Sequence, residues 1–298
     1  MFNQFRAKNT TSFTESPPSP EHEAFWAERL STLLPLVLPY SKPHVRRTGI
    51  SVAPTQTDFM PTALHGIDSV SVSIPKTMMT LHERYASHAD LSMGDFLLTV
   101  FGAYLARLSR VSLFDLGFRD VALQQAVKGS KKRLASHVPL RVDVSGAQSF
   151  SDLLQSMQEE LALIRAHKSY AHDIATRYPT LRSVPEWRPE QVWPVVVEQV
   201  EALWHMSLLS HQKAISPLTM VIPEGETKFR WVYDTQMLDQ KQIAKMVQQF
   251  TIFLEGIAAH PDALLGELPL LPEEERHQLL VEFNDTAADY AQDRGLHQ

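Results

Sequence analysis

Between Lys228 and Ile257 the hydrophobic period of this chain changes from two to about 3.6. Phe229, Trp231 and Tyr233 alternate with Lys228, Arg230 and Asp234, the pattern of a half-buried strand. Ile243, Val247, Phe250, Leu254 and Ile257 then recur at intervals of four, three, four and three, which is one face of a helix closed by Pro261. Beyond it Leu268-Pro269-Leu270-Leu271 leads to Pro272 and the acidic turn Glu273-Glu274-Glu275. Proline at the first helical position and carboxylates in the first turn both suit a helix start. The spacing predicts a short helix running to about Phe283 and a polar exit at Asn284-Asp285-Thr286.

The rest of the chain repeats this mixture. Residues 1 to about 20 are polar and end in Ser16-Pro17-Pro18-Ser19-Pro20, an extended or disordered leader. Glu21 to Leu34 reads as a helix and Val70, Val72 and Ile74 as a strand, with a short helix over Lys76 to His88. Ser92 and Asp95 resemble a capping box, followed by a broad apolar stripe from Phe96 to Leu108. Ser112 to Arg119 and Val138 to Val144 read as strands, and Phe150 to His167 as an amphipathic helix. Val192 to Val200 reads as a buried strand whose Pro194 places it near a sheet edge. Leu218 to Ile222 and Phe229 to Tyr233 form a hairpin through Pro-Glu-Gly-Glu. The order predicts an α/β fold: a central mixed β-sheet with helices mainly on one side.

Composition narrows the function. A net charge of −6, with Lys131-Lys132-Arg133 as the densest basic run, argues against a nucleic-acid binder. With no cysteine, disulfides, thiol nucleophiles and Cys-ligated metals are excluded. No apolar run approaches membrane-span length and the first residues lack a secretory pattern, so a cytoplasmic protein is expected.

The closing stretch from Leu268, LPLLPEEERHQLLVEFNDTAADYAQDRGLHQ, resembles the junction in nonribosomal peptide synthetases where a condensation domain ends and an adenylation domain begins. Earlier stretches resemble the same family in the same order. They are EAFWAERL at Glu23–Leu30, LSMGDFLLTVFGAYLARLS at Leu91–Ser109, VPLRVDV with SFSDLLQSMQEELALIRAH, and the run from Phe229 to Pro261. The likeness covers residues 21 to 298 and the C-terminal half of the family's domain. It implies one chloramphenicol-acetyltransferase-like lobe of a two-lobed V. The expected organisation is a flexible leader over 1–20, the lobe over 21–267, and over 268–298 a linker to an adenylation domain lying beyond the chain.

In this family the catalytic motif is His-His-x-x-x-Asp-Gly, whose second histidine acts on the attacking amine. None of the 13 histidines here has Asp four residues later and no two are adjacent, so no position inherits that role. Proton transfer by a positioned side chain contributes about 10²- to 10⁴-fold. Where the family has Gly-Phe-Phe-Val-Asn-Thr, this chain has Lys132-Arg133-Leu134-Ala135-Ser136-His137. Where the family has His-Gln-Asp-Tyr-Pro-Phe-Glu, only the His and Tyr survive in the run from His167 to Asp173. The family's Arg-Asp-x-Ser motif is unrecognisable around Trp193 to Leu203.

The resemblance therefore implies a truncated, non-catalytic condensation-like domain of an initiating module, serving as a platform for the adjacent adenylation domain. Leu268, Leu270 and Leu271 would tuck the linker against the lobe, and Leu279, Leu280 and Phe283 would present a second seam. The alternative is half of an active amide-forming acyltransferase whose motif-bearing lobe is supplied upstream or in trans. A docking surface for a carrier or small accessory protein is a third reading. Expected partners are the downstream adenylation domain, a carrier protein bearing phosphopantetheine, and a second copy of the lobe; no cofactor is expected to bind directly, and neither nucleic acid nor membrane. His137 beside Arg141 could be a base with an anion-binding partner, but its place at a strand start favours a solvent-facing histidine. Lys131 to Arg133 reads as a solvated loop before a phosphate site. His167 and His172, five apart, do not share a helical face as metal ligands would.

Overall fold

The computed structural model describes residues 20–39, 66–87, 90–127, 134–187, 193–201 and 216–277. In chain order it contains α1 (Pro20–Ser31), β1 (Ile67–Ser73), α2 (Lys76–Ala86), α3 (Met93–Ser109), β2 (Leu113–Arg119), α4 (Val121–Val127), β3 (Val138–Asp143) and α5 (Phe150–His167). A short α6 (Ile174–Arg177) and a 3₁₀ turn (Pro179–Ser183) lead to β4 (Val195–Val200), β5 (Leu218–Pro223), β6 (Lys228–Asp234), α7 (Gln240–Ala259) and α8 (Glu273–His277).

The three long helices start where polar side chains satisfy their first free N–H groups. Ser149 and Asp152 form a reciprocal capping box on α5, as do Asp239 and Gln242 on α7. At α3 the structure departs from expectation. Ser92 accepts from the Asp95 N–H at 3.0 Å, but the Asp95 carboxylate does not return to Ser92. It turns instead to Arg165 and Gln199, because those partners neutralise a buried charge and a free N–H does not.

The six strands form one mixed sheet in the order β1-β6-β5-β4-β2-β3. Strands β2, β4 and β5 run parallel, and the outer pairs are antiparallel. Alternation along each strand sends one set of side chains to the helices and the other to the opposite, outer face. On the helix side Phe101 and Tyr104 of α3, Phe250 of α7 and Trp231 of β6 pack ring against ring, and all four are fully buried. Each such side chain contributes roughly 1.5–3 kcal/mol by leaving water. Among these aromatics Phe229, Trp231 and Tyr233 take the core role that their period-two spacing indicates.

Pro194 does not mark an edge. It stands just before the first residue of β4, which lies between β5 and β2 in the middle of the sheet. The missing N–H is therefore outside the ladder, while the Pro194 carbonyl still accepts from the Leu218 N–H at 3.3 Å. Here β2 also requires a residue without a side chain. A Cβ on Gly117 would stand 2.6 Å from Trp193 Cδ1 and 2.8 Å from its Cβ, so the indole lies directly on the strand backbone.

Past α7 the chain stays on the helix side of the lobe. Leu265 N–H donates to Gln148 O at 3.0 Å, Gly266 N–H to Gly146 O at 2.9 Å, and the Arg107 guanidinium to the Leu265 carbonyl. Leu268 is buried, and Gly256 of α7 lets Pro269 come so close that an added Cβ would lie 3.1 Å from Pro269 Cδ. Leu270 packs against the core from a half-buried position and Leu271 is half-buried. The leader before Pro20, Lys131 to Arg133, and Leu279, Leu280 and Phe283 lie outside the described residues.

Candidate functional site

A charge inside an apolar strand is stable only with a partner. Two consecutive positions at the carboxyl end of β2, Arg119 and Asp120, and two on β4, Glu198 and Gln199, carry polar groups where their neighbours are valines and aromatics. Because successive side chains alternate in direction, these four residues serve two networks, back to back across the sheet.

On the helix side Arg165 of α5 is the centre. Its Nη1 and Nη2 donate to the two oxygens of Asp95 at 2.9 and 2.8 Å, and its Nε donates to Asp120 Oδ2 at 2.8 Å. Gln199 Nε2 donates to Asp95 Oδ1 at 2.9 Å, and Asp120 Oδ1 accepts the Leu123 N–H at 2.8 Å, which starts α4. Burial alone would lower the Arg165 pKa, but the Asp95 and Asp120 carboxylates outweigh it and raise the guanidinium above its ordinary value. This network joins α3, α4, α5, β2 and β4.

On the outer face Arg119 and Glu198 are register partners in the parallel β2–β4 pair, and His137 stands one residue before β3. Glu198 Oε1 accepts from Arg119 Nη2 at 2.8 Å and lies 2.7 Å from His137 Nε2. The other ring nitrogen, His137 Nδ1, is 3.1 Å from Ser136 Oγ. Only 2% of the Glu198 side chain is exposed. Burial on its own would push this carboxyl up; the His137 hydrogen bond and the Arg119 charge outweigh it and hold Glu198 below the usual carboxylate range.

His137 is thus not a solvent-facing histidine, and it does not meet Arg141. The Arg141 guanidinium forks onto Asp115, Nε to Oδ1 and Nη2 to Oδ2, both at 3.0 Å, and Nη2 also reaches the Thr32 carbonyl at 2.6 Å. The two residues alternate with Pro139 on one strand face, yet the cross-strand carboxylate nearest to each decides where it goes. His167 also has a structural setting: its ring stacks on Phe25 with centroids 3.9 Å apart, and its carbonyl accepts from Trp26 Nε1 at 3.1 Å. Burial lowers the His167 pKa, and the neighbouring His22 lowers it further. Among the described residues no group of three or more His, Asp or Glu comes together as a metal site, and no helix is long and apolar enough to cross a membrane.

Arg119, Asp120, Arg165, Glu198 and Gln199 were not legible as a site from the chain alone. The signal available was the isolated charge, Glu198 within VVVEQV, which demands a partner without naming it.

Comparison with known proteins agrees with this architecture. The family described as Condensation domain matches residues 2–280. Chondramide synthase cmdD of Chondromyces crocatus is 25% identical over 94% of this chain, and gramicidin S synthase 2 of Aneurinibacillus migulanus is 32% identical over 31% of it. The aligned stretches are 7% and 2% of those relatives, so the chain spans a small part of their length. Among solved structures, a holo four-domain nonribosomal peptide synthetase bound to AMP and glycine superposes with a TM-score of 0.60 at 14% identity, covering 86% of this chain and 20% of that one. The X-domain from teicoplanin biosynthesis gives 0.57 at 16% identity, covering 84% and 57%. At these identities the structures show the shared fold. With the family match running through nearly every described element, the chain belongs to the condensation-domain family of nonribosomal peptide synthetases.

Proposed function

We propose that this chain is the second lobe of a condensation domain, non-catalytic in itself, that serves as a platform for an adenylation domain following it. The packing of residues 264–269 carries the reading. That segment is held by backbone bonds to Gly146 and Gln148 and by burial of Leu268 beside α7, so what leaves the lobe leaves from a fixed point. The sequence supports it further, since none of the 13 histidines stands in a His-His-x-x-x-Asp-Gly motif. The outer sheet face is polar, with Arg119, Glu198, Arg141 and Arg230, where a lobe specialised for an apolar lobe–lobe contact would be hydrophobic.

In this reading residues 1–20 are a leader, 21–267 the lobe and 268–298 the linker, with Leu268, Leu270, Leu271, Leu279, Leu280 and Phe283 as the docking residues. The partners are the adenylation domain and a carrier protein that brings its own phosphopantetheine, and the working place is the cytoplasm. The test is removal of residues 21–267 from the parent synthetase. Soluble yield and amino-acid-dependent pyrophosphate exchange should both fall several-fold. Unchanged values for both would exclude a platform role.

A further inference from the structure

A guanidinium and a carboxylate side by side ordinarily share two parallel hydrogen bonds. Arg119 and Glu198 share one. Glu198 uses Oε1 for both His137 and Arg119, while its Oε2 and the Arg119 Nε are buried without a partner. An unmet buried donor or acceptor costs about 1–3 kcal/mol each. Two more unmet donors, Trp193 Nε1 and Arg230 Nε, lie on the same outer face, Trp193 over Gly117 and Arg230 in the register row of Glu198 through Val221. The approach is from the β3 side, where Ser136 is exposed and the Arg119 and His137 side chains keep 16% and 13% of their surface.

We propose that this cluster is a binding site for a neutral amide group of an extended, amide-bearing chain. The amide carbonyl accepts from Arg119 Nε and its N–H donates to Glu198 Oε2. A neutral group is favoured over an ion because the guanidinium and carboxylate already balance each other. An added charge would be buried against a neutral pair, at far greater desolvation cost than an amide whose two polar groups are both met. The site lies across the sheet from residues 264–269 and does not depend on the platform reading.

The experiment follows the side-chain Nε–H resonance of Arg119 in ¹⁵N-labelled full chain, with the Trp193 indole N–H as a reporter of fold, during titration with N-acetylglycine N-methylamide. The Arg119 resonance should shift and saturate in the millimolar range. Both Glu198→Gln, which replaces the acceptor with a donor, and Arg119→Lys, which keeps the balancing charge, should weaken saturation at least tenfold. The second variant decides if the first loses its dispersed Trp193 signal. No shift up to the solubility limit, an equal response in the folded variants, or saturation by free glycine as tight as by the amide would each overturn the proposal.

Discussion

The two networks at the carboxyl ends of β2 and β4 are built from neighbouring residues and end in opposite conditions. Around Arg165 the nitrogen atoms of one guanidinium are spent on two carboxylates, which are themselves held by Gln199 and by the first turn of α4. Around Glu198 one oxygen takes both partners and the other takes none. Both are largely buried, so solvent does not explain the difference. What differs is the surroundings. The helix side brings α3, α4 and α5 together over the sheet and can supply a partner to each atom. The outer face has only what three strands place in one row. A closed network fixes structure, whereas a half-used one retains capacity for a further polar group.

That contrast predicts unequal costs. Arg165→Met should be the most damaging change, removing about 3–5 kcal/mol of stability because Asp95 and Asp120 are left buried and uncompensated. Urea denaturation measures it, and a loss below about 1 kcal/mol would erase the distinction between the two sides. Glu198→Gln should cost less, about 1–2 kcal/mol at neutral pH, since Arg119 and His137 keep some access to water.

The same substitution has a pH signature. Glu198 titrates lower in the folded chain than in the unfolded one, so its contribution is fully present above the unfolded value, about 4.3, and is lost as pH falls through the folded value. Denaturation midpoints of wild type and Glu198→Gln should therefore converge on acidification below about pH 4. A gap that stays constant across that range would assign the stability to packing instead. His137→Gln should be the mildest change, within about 1 kcal/mol, because the amide can still donate to Glu198. A larger loss would mean that the ring's packing, not its hydrogen bond, holds the start of β3.

Much of the fold was readable before any coordinates. The alternation from Lys228 to Asp234 is β6, the following apolar repeat is α7, and Ser149 caps α5. Each depends on residues a few positions apart, which local patterning captures. The misreadings share one cause. Pro194 implied an edge because a proline cannot donate within a ladder, but whether it stands inside the ladder is set by the β4–β5 register. Asp95 matched a capping box, yet its carboxylate serves Arg165, 70 residues away. The short α4 escaped notice because it begins on Asp120, whose cap contact is part of that same network.

By itself the amino-acid sequence determined the α/β class, most element positions, the core aromatics and the family, since all of these follow from spacing along the chain or from runs of matched residues. Only the tertiary structure decided which charges meet. His137 and Glu198 are 61 residues apart and touch because β2 lies between β3 and β4 in the sheet order. Hydrophobic pattern says which way a strand faces, but a polar pair across strands depends on order and register together, and neither is written in any one segment.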